Sequence, residues 1–183
     1  KRQTLGPRIN FIIGHNGSGK SAILTAITVT LGGKAQTTSR GSSLKDFILE
    51  GAQAAEVRVR LRNGGSDAYR PDLYGDAINI ERRIHSDGSG SWKIKNADGK
   101  TISTKREELD AICDHANIQV DNPMNILSQD AARQFLGSSQ PEDKYSFFLR
   151  GTQLTQLAQE YELIQTNIQR MKLSLIHISE PTR

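Results

Sequence analysis

Residues 14–21 read Gly14-His15-Asn16-Gly17-Ser18-Gly19-Lys20-Ser21, with the spacing G-x-x-x-x-G-K-S. Three glycines in eight positions bring the backbone close to a ligand that a Cβ would obstruct, and the closing Lys-Ser pair supplies a point charge and a hydroxyl oxygen. Just before them, residues 9–13 (Ile-Asn-Phe-Ile-Ile) form a short apolar run that reads as a buried strand. After Ser21, good helix formers continue without Gly or Pro until Gly32, which predicts a helix ended by Gly32-Gly33. Strand, glycine loop and helix in that order are the context in which loop N–H groups converge on phosphate oxygens beside a helix N-terminus. The candidate nucleotide-binding residues are therefore Gly14, His15, Asn16, Gly17, Ser18, Gly19, Lys20, Ser21 and Ala22. Lys20 is assigned to the β- and γ-phosphates, and the Ser21 hydroxyl to Mg²⁺, whose remaining ligands are phosphates and water.

The chain has 183 residues, enough for one domain with a sizeable core. No run approaches the roughly 20 apolar residues that a membrane-spanning helix needs, so no membrane partner is expected. A single cysteine, Cys113, excludes a disulfide framework and favours a reducing compartment. The net charge of +4 is compatible with a nucleic-acid surface without requiring one. Lys1 stands so close to the first strand that the chain reads as part of a longer protein.

Three regions of different hydrophobic period follow one another. Residues 34–43 are rich in Thr, Ser and Gly and carry Lys34 and Arg40, which reads either as an ordered loop near the phosphates or as a surface connection. The middle of the chain changes to period two. Val57, Val59 and Leu61 alternate with Arg58, Arg60 and Arg62, and Ile78, Ile80 and Ile84 repeat the idea, with Arg82 interrupting. Trp92, Ile94 and Ile102 follow, around turn signals at Asp87-Gly88 and Asp98-Gly99. The expectation is an antiparallel β lobe. On it, Arg58, Arg60 and Arg62 would share a face, as would Lys93 and Lys95, giving either a DNA-contacting surface or an ordinary solvated one.

Helical spacing then returns. Thr104 to Glu107 fits a capping box ahead of Leu109, Ile112 and Cys113, and Ser139 to Glu142 fits a second, with Pro141 near the helix start. Leu154, Leu157, Tyr161, Ile164, Ile168 and Met171 are spaced 3, 4, 3, 4 and 3, the seam of a heptad repeat. The alternative is one amphipathic helix packed on a globular core. Residues 174–183, SLIHISEPTR, resemble a translated synthetic adapter and are expected to be non-native.

Taken together, GHNGSGKS, LGGKAQTTSRGSSLKDFI at 31–48 and NPMNILSQDAARQFL at 122–136 resemble the N-terminal half of the head of an SMC (structural maintenance of chromosomes) ATPase, over roughly residues 5–173. The resemblance implies an α/β, ABC-type P-loop NTPase half-head with an antiparallel β lobe, followed by the start of a coiled-coil helix. It implies 1–140 as the N-terminal head lobe and 141–173 as neck and coiled-coil start. Gln129 would reach Mg²⁺ and the water near the γ-phosphate of ATP, acting with Lys20 in catalysis. Arg40 would lie near the nucleotide and the DNA-facing surface. Implied partners are an SMC five-like second head, a kleisin-like subunit at the neck, and DNA, on chromosomes in the nucleus. Such a head also needs a signature motif and an apolar strand ending in Asp-Glu, and neither is found in this sequence; Asp121 reads as a turn former before Asn122-Pro123. Two further readings are a repair ATPase of the RecF or Rad-fifty type, against which 31–48 argues, and a non-catalytic nucleotide-binding scaffold.

Overall fold

The computed structural model describes residues 2–38, 41–122, 124–137 and 140–179. It divides into two compact units, Lys1–Asp121 and Asn122–Arg183.

In the first unit, the period-two sequences form β1 (Ala54–Arg62), β2 (Ala77–His85), β3 (Gly90–Lys95) and the short β4 (Thr101–Ser103), an antiparallel sheet in the order β1-β2-β3-β4. The register sets Val59 opposite Ile80 and Ile80 opposite Ile94, so the alternating apolar residues fall on one face. Against that face pack α1 (Lys20–Thr30), the single turn α2 (Pro71–Tyr74) and α3 (Arg106–His115). The core they enclose includes Leu31, Tyr74, Ile80, Ile94, Leu109 and Ile112. Cys113 is buried there as a free thiol, whose pKa burial pushes up to about 11, so the sulfur is an inert packing group. Glu108 fastens α3 to the turn at α2, its Oε1 accepting from Tyr74 Oη at 2.9 Å and Tyr69 Oη at 3.1 Å, with Arg70 Nη1 at 3.3 Å.

Arg82 does not break the strand pattern in the way its charge implies. It keeps its place on the core face between Ile80 and Ile84, and its guanidinium lies flat on Trp92, with Cζ 3.2 Å from the ring centroid. Gly90 lies close beside it, where a Cβ would stand 3.1 Å from Nη2 and 3.3 Å from Cζ.

Two local expectations are corrected. Residues 9–13 are not a strand: they run irregularly with Ile9, Phe11 and Ile13 82%, 85% and 91% exposed. A strand exists only through hydrogen bonds to a neighbour, and no described residue pairs with this run. The capping box at Thr104 does not form either; α3 begins at Arg106 with Lys105 as its N-cap and no side-chain cap, while Ser103 Oγ accepts from Lys105 N–H. A capping box does form at Ser43 and Asp46, ahead of the 3-10 turn Leu44–Phe47.

The second unit holds α4 (Gln129–Gly137), α5 (Pro141–Gly151) and α6 (Leu154–Ser179). Phe135 and Phe147 stack at 4.5 Å between α4 and α5. Between α5 and α6 the helix is interrupted at Thr152-Gln153, where Gln153 adopts φ 59° and Asn122 Nδ2 donates to the Gly151 carbonyl at 3.0 Å. All six seam residues lie on α6 and are 43% to 65% exposed. The box expected at Ser139 falls partly outside the described residues; α5 starts at Pro141 with Gln140 as N-cap. Among the described residues, no helix is long and apolar enough to cross a membrane.

Candidate nucleotide site and cationic sheet face

The octet 14–21 is curled back on itself. Gly17 and Gly19 sit at φ 80° and 98°, left-handed conformations that side-chain-bearing residues rarely hold. Ser18 N–H donates to the His15 carbonyl at 3.2 Å, and a Cβ on Gly14 would stand 2.6 Å from Ser18 Oγ. Lys20 closes the curl, its Nζ donating to the carbonyls of Gly14 at 2.6 Å and His15 at 2.8 Å. An ammonium has three donors, so one remains to point at a ligand.

Helix α1 starts at Lys20, directly off the loop. Its N-cap Gly19 offers no side-chain cap, and there is no carboxylate in the first turn. The Gly19 carbonyl accepts from Ala22 and Ile23, which leaves the leading amides of Lys20 and Ser21 at the positive end of the helix dipole. An anion there meets donors, a lysine and a neighbouring hydroxyl with no competing charge. A triphosphate with its Mg²⁺ fits these groups: loop amides and Lys20 for the phosphates, Ser21 for the metal. Among the described residues, no cluster of His, Cys, Asp or Glu could hold a metal by protein side chains alone. His15, Asn16 and Ala22 are exposed along the same stretch.

The other nucleotide-site expectations fall elsewhere. Arg40 lies outside the described residues. Gln129 belongs to the second unit, exposed as the first residue of α4, where Ser128 Oγ accepts from Ala131 N–H at 3.1 Å. Ser128 is thus the cap that makes Gln129 a helix start, a role hidden in the sequence because nothing charged or periodic marks it.

The face of the sheet opposite the core carries the cations. Register places Arg58 across from Glu81 and Glu81 across from Lys93, and likewise Arg60, Asn79 and Lys95 in one row. Arg58, Arg60, Arg62, Lys93 and Lys95 therefore share one surface, with β2 lying between the arginine and lysine strands. Three residues outside the expected set share this face: Arg83 and the acid Glu81 on β2, and the acid Glu56 opposite Arg83 on β1. Their alternation was readable in the sequence; their pairing was not, because register is a property of two strands.

A glycine loop closed by lysine at the head of a helix, beside an antiparallel lobe, defines an ABC-type P-loop NTPase half-head. The family model described as "AAA domain" matches residues 4–179. The chain is 53% identical over 163 residues to structural maintenance of chromosomes protein 6 of Schizosaccharomyces pombe, covering 89% of this chain and 14% of that protein. Among solved structures, one from work on ATP-driven dimerisation and DNA-stimulated activation of SMC ATPases matches at TM-score 0.66 and 28% identity, covering 80% of this chain and 86% of that one. An Smc head bound to the C-terminal winged-helix domain of ScpA matches at TM-score 0.55 and 31% identity, covering 68% of this chain and 38% of that one. The chain therefore belongs to the AAA-domain family, in its structural maintenance of chromosomes branch. It spans 14% of the length of the yeast SMC protein 6 that it matches.

Proposed function

We propose that the chain is the nucleotide-holding N-terminal part of an SMC ATPase head of the SMC six type, working on chromosomes in the nucleus in DNA repair and recombination. The observation that carries this is the curled octet, with Lys20 Nζ fixed on the Gly14 and His15 carbonyls at the head of an uncapped helix. Gly14 to Ala22 would hold the phosphates of ATP, and Ser21 would coordinate Mg²⁺. Mg²⁺ would draw charge from the β- and γ-phosphates. Lys20 would steady the same oxygens, and Gln129 would be a catalytic residue brought to the metal and water in the assembled head.

Phosphoryl transfer is catalysed by positioning and charge stabilisation, and a catalytic carboxylate and opposing signature loop have no counterpart in this sequence. The chain alone is accordingly a binder with negligible turnover; one missing stabilising group typically costs ~10²–10³ in rate. In the assembled head, 9–13 would enter a sheet whose other strands lie elsewhere in the longer protein. The α6 seam would pair as coiled coil, an SMC five-like head would face the nucleotide, and a kleisin-like subunit would bind the neck; the similar Smc head is bound to the C-terminal winged-helix domain of ScpA. The outward face of the sheet would contact duplex DNA.

ATP binding measured calorimetrically with and without Mg²⁺ tests this reading. Lys20→Ala is expected to weaken binding at least tenfold, since it removes both the loop closure and the phosphate charge. Equal affinity of parent and variant would leave only the scaffold reading.

A further inference from the structure

The outward sheet face has a negative charge near its centre. Glu81 lies on β2, between the strand of arginines and the strand of lysines, with its side chain only 15% exposed. Oε1 lies 3.2 Å from Arg58 Nε as an ion pair, and Oε2 pairs with Lys95 Nζ at 2.8 Å. One carboxylate thus ties β1 to β3 across the intervening strand and occupies two of the cations a phosphate would seek. Arg58 is also held by Glu56 at 2.6 Å. The remaining cations are differently placed. Arg60 has only a 3.9 Å contact to Asp76, and among the described residues Arg62, Arg83 and Lys93 form no ion pair.

We infer that Glu81 sets how strongly this face holds a phosphodiester backbone, competing with the phosphates for Arg58 and Lys95. The inference rests on the reading of this face as a duplex-DNA surface. A carboxylate and a phosphate use the same donors with the same geometry, so a phosphate reaching the centre of the face must displace Glu81 and then lie beside its charge. The outer cations, lacking such a partner, give a weak, salt-sensitive grip on any duplex, and Glu81 keeps it weak. A carboxylate about 6 Å from a phosphate across a half-buried surface repels it by an amount corresponding to roughly five- to tenfold in affinity.

Fluorescence anisotropy of a labelled duplex with the 183-residue chain, over a salt series, tests this. Glu81→Gln, nearly isosteric, is expected to bind about five- to tenfold tighter. Its log K against log[salt] line should be steeper by about one, since Lys95 is freed while Arg58 keeps Glu56 and each phosphate newly neutralised contributes ~0.9. Lys95→Gln should then weaken binding by a larger factor in the Glu81→Gln background than in the parent, which is the coupling that a shared partner produces. Should Glu81→Gln fail to fold by circular dichroism, Glu81→Thr reads the same quantity in a residue suited to strands. A folded variant with unchanged or weaker affinity and an unchanged slope overturns the inference. The pair Arg60→Ala with Arg62→Ala separates the two levels: if it leaves DNA affinity intact, the face is not the DNA surface at all, whatever Glu81 does.

Discussion

Arg82 is the residue whose sequence and environment disagree most. Its guanidinium is buried on the core face, with Nε and Nη1 lacking a hydrogen-bond partner, and burial beside the Arg106 charge pushes its pKa down to about 10. Taking a guanidinium from water costs several kcal/mol, and stacking on Trp92 returns about 0.5–2 kcal/mol, so the net effect on stability is unfavourable. Arg82→Met keeps the length and the contact with Trp92 while removing the charge. It is expected to stabilise the chain by about 1–2 kcal/mol, seen as a higher urea midpoint at unchanged slope. A lower midpoint would mean that the two nitrogens do find a compensating partner. The nucleotide octet stands at the other extreme. The curl of the octet was legible from the order of its residues and the helix behind it, because a loop that folds on its own glycines and lysine is local chemistry, whereas the strand expected before it did not form. Arg82 was legible only as an interruption, since the stacking that holds it depends on Trp92 and Gly90 from a different strand.

Helix α1 shows how an element joins the loop to the lobe. It begins at the uncapped amides that follow the glycine loop and ends in carbonyls taken up by three side chains from beyond the helix. Trp92 Nε1 donates to Thr30 O at 3.0 Å, Arg106 Nη2 to Gly32 O at 3.1 Å, and Cys113 Sγ approaches Leu31 O at 3.8 Å. The chain turns away through Gly32 at φ 97°, and Gly33 N–H closes on Thr28 O at 2.9 Å. A Cβ on Gly33 would stand 2.5 Å from Thr28 Cγ2 and 2.9 Å from its carbonyl oxygen, part of which is backbone that cannot swing aside. Gly33→Ala is therefore expected to cost about 2–3 kcal/mol and to lower the thermal midpoint accordingly, whereas a change below about 0.5 kcal/mol would show that the turn relaxes freely. The Gly32-Gly33 stop was readable from the sequence, and so were the four strands, because alternation and glycine act within a few residues. The cap at Thr104 was misread because Ser-x-x-Glu-like spacing is common and only the backbone entering α3 decides which residue caps it.

For the chain taken whole, the segment at 9–13 is where reading and structure part most clearly, and the cause is physical. Apolar, β-branched residues signal burial, but a strand forms only where a neighbour takes up its hydrogen bonds, and no described residue pairs with 9–13 in a chain that spans 14% of its relative's length. The same argument covers α6, whose seam is regular in sequence and exposed in the structure. Ile9, Phe11 and Ile13 lie on alternate positions with no charge among them, the pattern of an unpaired strand that recruits another chain edge to edge. If their proper neighbour is the rest of the head, the double substitution Phe11→Lys with Ile13→Lys should act in opposite directions in two settings. The isolated chain should self-associate less, giving a lower light-scattering mass at tens of micromolar, with ATP affinity within about twofold because the octet folds on itself. The full-length protein carrying the same pair should lose soluble yield and ATP turnover by about tenfold or more, since a buried strand cannot take two charges. Equal turnover in the full-length protein would show that 9–13 stays outside the assembled sheet, and the apolar run would then need another partner.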